Sequence, residues 1–159
     1  MDEISINTPA AGRILMVEDS ALDAELTMRA LDKVGLAERI IWLRDGVEAL
    51  AFFFDAEDKV RPPHLMPSFV LLDNKLPRVS GLEVLERLKK DERTRMVPVV
   101  MFTSSEEYRD LIRAYELGVN SYVVKPINYD EFNKTLEYLG QYWLFHNISP
   151  HTLDREKPR

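Results

Sequence analysis

The sequence predicts an α/β fold in which a parallel five-stranded sheet is covered by helices on both faces. Two observations carry that prediction. Five short apolar runs recur along the 159 residues, and most are continuous rather than alternating. That is the pattern of strands buried on both faces. Between the runs lie five segments with helical spacing, each opened by a short polar residue with an acid three positions later. Strand followed by helix, five times over, makes a parallel sheet with helices on either side.

The elements follow in order. Residues 13–17 (RILMV) form the first strand, and Ser20 with Asp23 opens the first helix, which should stop at Gly35. Residues 39–43 (RIIWL) are the second strand, followed by a helix opened by Asp45 and Glu48. A long connection, residues 55–68 (DAEDKVRPPHLMPS), comes next; its three prolines argue against helix. Residues 69–72 (FVLL) are the third strand, and Ser80 with Glu83 starts the third helix. Residues 97–102 (VPVVMF) are the fourth strand, Ser104 with Glu107 opens the fourth helix, and Gly118 ends it. Residues 122–124 (YVV) are the fifth strand, and Asn128 with Glu131 opens a fifth helix over 129–145. At each start the polar side chain can accept from unpaired backbone N–H groups, while the acid reaches back or complements the helix dipole. Glycine at each stop tolerates a left-handed conformation. Residues 1–11 are expected to be a flexible extension, 12–145 the folded domain, and 146–159 a polar tail, loose from residue 150 onward.

Composition narrows the function. The formal net charge of −6 disfavours DNA binding, which needs a basic face. There is no cysteine, hence no disulfide and no thiolate metal site. No apolar run approaches a membrane span, and the polar N-terminus MDEISINTPAAG does not read as a signal peptide, so a cytoplasmic location is expected. His64, His146 and His151 share no element and are not expected to form a site.

Ligands of open parallel sheets sit outside the carboxyl ends of the strands. There the first strand delivers Glu18 and Asp19, the third Asp73, the fourth Thr103 and the fifth Lys125, before Pro126. Three converging carboxylates repel one another and suit a hard divalent cation, with Mg²⁺ the natural choice. One acid, Asp73, can then act as a carboxylate nucleophile toward phosphorus, with Thr103 and Lys125 placed to engage the phosphoryl oxygens.

The segments ILMVEDS, LLDNKLPRVSG, VVMFTSS and SYVVKP resemble the receiver domains of response regulators. The resemblance covers about residues 12–145 and implies a flavodoxin-like (βα)5 three-layer sandwich with strand order 2-1-3-4-5. A chemotaxis receiver is itself an established example of that order. The resemblance implies Asp73 as phosphoacceptor, and Mg²⁺ held by Glu18, Asp19, Asp73 and the Lys75 backbone carbonyl. It further implies Thr103 as switch hydroxyl, Tyr122 as the aromatic that swings inward with it, and a cis Lys125–Pro126 bond. The Lys75 side chain departs from the small polar residues common there. It is either solvated or adds charge beside the phosphoryl group. The proline-containing loop before FVLLDNKLP, the segment AYELGVNSYVVKPIN and the ending YLGQYWLF are similar to the response regulators of bacterial phytochromes. A sensor histidine kinase, a bacteriophytochrome, is the partner this implies.

About fourteen residues follow Phe145, too few for an effector domain, so output through protein contacts is expected. Phe132, Leu136, Leu139 and Trp143 share one core-facing stripe of the fifth helix. Tyr138, Tyr142, Leu144 and Phe145 fall off it and suggest an interface. A homodimer through the fourth helix, fifth strand, fifth helix and C-terminal segment is the expectation. Two other classes are weaker. A phosphatase of the haloacid-dehalogenase type needs a second acid two residues after its nucleophile, where Lys75 stands. A phosphorylation-independent binding module would not need every chemical position filled. The chain is therefore expected to be a phosphoacceptor switch, limited to Mg²⁺-dependent self-phosphorylation and autodephosphorylation, rather than a turnover enzyme.

Overall fold

The computed structural model describes residues 12–153. Five parallel strands, β1 (Ile14–Val17), β2 (Ile40–Leu43), β3 (Phe69–Leu72), β4 (Val99–Thr103) and β5 (Ser121–Val124), form one sheet in the order β2-β1-β3-β4-β5. The flavodoxin-like order is therefore present. The continuous apolar runs are explained by two cores, one on each face. Leu15, Val17, Val70, Leu72, Val99 and Met101 join one cluster; Ile14, Met16, Phe69, Leu71, Val100 and Phe102 join the other. Side chains alternate along a strand, so a strand covered on both faces must be apolar at every position.

Helices α2 (Gly46–Phe53), α3 (Gly81–Lys90) and α4 (Tyr108–Glu116) cover the first face, and α1 (Ala21–Asp32) with α5 (Tyr129–Gln141) covers the second. Four of the expected starts are made as the sequence suggests. Ser20, Asp45, Ser80 and Asn128 each accept the backbone N–H three residues on, and Ser80 with Glu83 completes a reciprocal capping box. Each such cap contributes about 1 kcal/mol. The fourth helix is the exception. It starts at Tyr108, and the side chain of its N-cap residue, Glu107, pairs with Arg109 and makes no capping bond to the backbone. Ser105, ahead of it, is used in the loop described below. At its other end Gly118 has φ +96°; its N–H donates to Tyr115 and that of Val119 to Ala114, closing a Schellman motif.

The connection at residues 55–68 is ordered. Phe54 and Val60 form an antiparallel bridge, and Pro63–Leu65 makes a 3-10 turn. Arg61 is buried over the Phe52 ring at 3.7 Å, with Nε donating to the Phe52 carbonyl. Ion pairs tie this segment to the end of α3. Arg93 grips Asp91 through both carboxylate oxygens at 2.9 and 2.8 Å, and Arg93 and Arg87 both reach Asp58.

The fifth helix ends earlier than expected. After Gln141 the backbone widens into a π turn over Tyr142–His146, with the Asn147 N–H donating to Tyr142. The wider turn advances the register, and Leu144, expected off the core stripe, packs against the second core cluster with Trp143. Tyr138, Tyr142 and Phe145 remain exposed. Residues 150–153, expected to be loose, form a short helix α6 (Pro150–Leu153) that contacts the 3-10 turn of the connection, with Ser149 and His151 buried. The apolar and proline surface of that turn supplies the contact that the sequence did not reveal. Residues 1–11 and 154–159 lie outside the described residues.

The Arg93 guanidinium, followed by the Arg93 backbone N–H, holds the Asp91 carboxyl well below the usual range. A lowered folded pKa gives stability that is present above the unfolded value of about 3.9 and is lost as pH falls through the folded one. Asp91→Asn should therefore lower the melting temperature by a few degrees at pH 7. Thermal melts across pH should show that difference shrinking steadily below about pH 4.

Candidate functional site

The sheet ladder continues one residue past three strand ends and sets the site. The Glu18 N–H donates to Leu43, the Asp73 N–H to Val17 and the Lys125 N–H to Thr103, at 3.0, 3.1 and 2.8 Å. Glu18, Asp73 and Thr103 are buried at this edge, and Asp19 is exposed beside them. Asp73 is also hemmed in by the start of α3. A Cβ on Gly81 would stand 2.1 Å from the Asp73 carbonyl oxygen and 2.7 Å from Asn74 Cα. Only glycine lets α3 come this close. The Gly81 N–H donates to the Asn74 carbonyl, and the Leu82 N–H to the Asn74 side chain.

Lys125 is the cationic centre of the cluster. Its Nζ lies 2.7 Å from Glu18 Oε2, 3.0 Å from Asp23 Oδ2 and 3.4 Å from Asp73 Oδ2. Burial alone would lower the Lys125 pKa, but the charge of Asp73 and the contact with Glu18 outweigh it and raise the value. Burial pushes the Glu18 carboxyl up to about 7. The Lys125 contact opposes that shift and the charge of Asp73 adds to it. The two shifts pull in opposite senses for one ion pair because burial dominates at Glu18, whereas several acids gather around the one ammonium of Lys125. Glu18 is held in place by the Ser20 N–H on Oε1, and its carbonyl accepts the Trp42 indole N–H at 2.8 Å.

Carboxylate oxygens of Glu18, Asp19 and Asp73 lie within 4.8 Å of one another. Asp73 Oδ1 is buried with no hydrogen-bond partner, a state that costs roughly 1–3 kcal/mol unless it is compensated. Clustered hard oxygens with one orphaned acceptor fit Mg²⁺. Bound there, Mg²⁺ supplies positive charge against the carboxylates and against the oxygens of a phosphoryl group.

Thr103, fully buried, accepts the Ser105 N–H at 3.2 Å. The Ser105 hydroxyl donates to Asp110 of α4 at 2.6 Å, and its carbonyl accepts the Tyr122 hydroxyl at 3.1 Å. Tyr122 is half-buried and packs on the first core cluster. Asn74 reaches the same Asp110 oxygen at 3.4 Å. Lys75 is exposed on the loop after β3. The expected cis bond before Pro126 is absent, since no cis peptide occurs among the described residues. Trans is the ordinary state of such bonds, favoured by about 0.5–1 kcal/mol.

Sequence reasoning brought together Glu18, Asp19, Asp73, Thr103 and Lys125, but it missed Asp23, Asn74, Ser105 and Asp110. Asp23 was visible only as a helix-start acid. Asn74 and Ser105 lie on loops with no periodicity to mark them, and nothing local sets Asp110 apart from any other acid in a first helical turn.

The family described as the response regulator receiver domain matches residues 14–137. The chain belongs to that family. Receivers are phosphorylated on an aspartate by a partner kinase and signal through protein contacts, and the acidic triad here is typical of their Mg²⁺ site. Among similar proteins, the probable methanogenesis regulatory protein FilR2 of Methanothrix harundinacea is 45% identical over 137 residues, covering 86% of each chain. The phosphorylated cyanobacterial phytochrome response regulator RcpA aligns with TM-score 0.76 at 30% identity, over 89% of this chain and 99% of its own. The bacteriophytochrome response regulator AtBRR aligns with TM-score 0.64 at 45% identity, over 89% and 99%. Among the described residues, no helix of this receiver is long and apolar enough to cross a membrane.

The raised Glu18 pKa predicts the pH dependence of Mg²⁺ binding. Below about 7 the carboxyl carries a proton that the cation must displace. The apparent Mg²⁺ affinity should therefore rise from pH 6 to pH 8, by at most roughly tenfold per unit for one displaced proton. Titrations followed by the fluorescence of Trp42, bonded to Glu18, should show that rise.

Proposed function

We propose that Asp73 is the phosphoacceptor of this receiver. The observation that carries the reading is the orphaned Asp73 Oδ1, buried beside Glu18 and Asp19 with the Lys125 ammonium on the other carboxylate oxygen. The donor is a phosphohistidine on a sensor kinase. An Asp73 oxygen attacks phosphorus as the P–N bond breaks, the histidine keeps the electron pair, and an acyl phosphate results. Glu18, Asp19 and the Lys75 carbonyl are the other groups toward Mg²⁺, while Lys125 and the Thr103 hydroxyl engage the phosphoryl oxygens.

Thr103 connects the site to the surface. A move of its hydroxyl toward the phosphoryl group strains the Ser105 N–H bond, and Ser105 is tied to both Asp110 and Tyr122. The start of α4 and the face of β5 are thereby biased together. Tyr108, Ile112 and Tyr115 of α4 and Val124 of β5 are exposed on these elements. The kinase is a bacteriophytochrome, a reading supported by the likeness to RcpA and AtBRR. The receiver works as a homodimer through α4, β5, α5 and the C-terminal segment. The exposed Tyr138, Tyr142 and Phe145 support that surface, whereas Leu144 is occupied by the core.

Acetyl phosphate with Mg²⁺ should label the wild type and leave Asp73→Asn unlabelled; equal labelling of both would refute the assignment. For the dimer, a variant carrying Tyr138→Ser, Tyr142→Ser and Phe145→Ser keeps Trp143 and Leu144 in the core. Light scattering with beryllofluoride and Mg²⁺ should find it monomeric where the wild type is dimeric. A dimer of unchanged strength would remove these aromatics from the interface.

A further inference from the structure

Asp23 is a fourth carboxylate beside the site, and the acceptor reading gives it no part. It stands in the first turn of α1, where its N–H donates to the Ser20 hydroxyl and its carbonyl accepts the Thr27 hydroxyl at 2.8 Å. Those backbone bonds serve the helix start and make no demand on its side chain. The side chain nevertheless crosses to β5, with Oδ2 3.0 Å from Lys125 Nζ. It is not one of the three acids whose oxygens gather within 4.8 Å. Its contact is with the lysine rather than with the metal cluster.

An ammonium has three N–H donors, and here all three are engaged. The contacts to Glu18 and Asp23 measure 2.7 and 3.0 Å, and the contact to the acceptor Asp73 is the longest at 3.4 Å. The lysine side chain is 10% exposed and that of Asp23 39%. The Asp23 partner is therefore the one at the solvent side, and it can be released without stranding a buried charge. Glu18 and Asp73 are 6% and 9% exposed and cannot be released so cheaply.

We propose that Asp23 is a positioning residue that draws the Lys125 ammonium toward the solvent side of the site, leaving its contact with Asp73 the longest of the three. On phosphorylation Lys125 exchanges the Asp23 contact for a phosphoryl oxygen. The exchange sets part of the cost of reaching the phosphorylated state, so Asp23 tunes how readily this receiver is switched on. This inference rests on Asp73 as acceptor.

The test is calorimetric titration of the whole chain with beryllofluoride at saturating Mg²⁺. Asp23→Asn removes the charge, keeps the side-chain shape and leaves at most a weaker amide acceptor for the ammonium. It should tighten binding by roughly two- to tenfold, the range of a partly exposed ion pair. Asp23→Glu should return the affinity toward wild type. A merely structural role cannot produce this result, because a damaged helix start would weaken binding. Unchanged or weaker binding in Asp23→Asn would overturn the proposal. So would a gain that vanishes in 0.5 M salt, which marks general repulsion rather than a contact. Undiminished beryllofluoride binding by Asp73→Asn would instead defeat the acceptor assignment itself, and with it this proposal.

Discussion

The Lys125 ammonium is the interaction on which the rest of the site depends. It joins β5 to the ends of β1 and β3 and to the first turn of α1. A parallel sheet brings its strand ends to one edge, so acids placed there converge whether or not their charges are compatible. One ammonium among Glu18, Asp23 and Asp73, with Asp19 close by, leaves the cluster short of positive charge. The orphaned Asp73 oxygen is one sign of that deficit, and the charge of Asp73 adds to the burial that raises the Glu18 pKa. A divalent cation relieves the deficit, and in the proposed acceptor role of Asp73 a phosphoryl group then adds new negative charge for Lys125 to meet. On that proposal the electrostatic tension of the site couples metal binding, phosphorylation and the position of one lysine.

Close backbone approach is the second constraint. Gly81 allows the start of α3 to lie against the Asp73 carbonyl, and the Asn74 backbone and side chain are both consumed in holding that start. Asn74 also reaches Asp110, which takes the Ser105 hydroxyl. The loops after β3 and β4 are therefore joined through one carboxylate of α4. The late start of α4 has its physical reason here. Ser105 spends its hydroxyl and carbonyl on Asp110 and Tyr122, so the segment before Tyr108 follows those bonds rather than a helical path. A displacement at Thr103 has a continuous polar route to Tyr122 and to the first turn of α4.

Away from the carboxyl edge the structure is held by other means. The 55–68 connection is fixed by Arg61 against Phe52 and by the Asp58, Arg87, Arg93 and Asp91 network, and α6 rests on its 3-10 turn. Trp143 reaches back to within 6.3 Å of the Phe69 ring. The C-terminal segment is thereby anchored both within its π turn and beyond it. The exposed Tyr142 and Phe145 are presented from a fixed base, with Arg39 stacked on Phe145 at 5.4 Å.

The sequence by itself determined the strands, four of the five helix starts, and the acids, hydroxyl and lysine at the carboxyl edge. Periodicity and capping are local, and the parallel topology maps strand ends onto one edge without further information. The late start of α4, the burial of Leu144 and the docking of α6 were decided only by tertiary structure. Each depends on a partner distant in the chain or on a register change that no local pattern records. Asp23 shows the difference most clearly. Read locally it is the acid of a helix start, and only the packing of α1 beside the end of β5 brings its carboxylate to Lys125, 102 residues away.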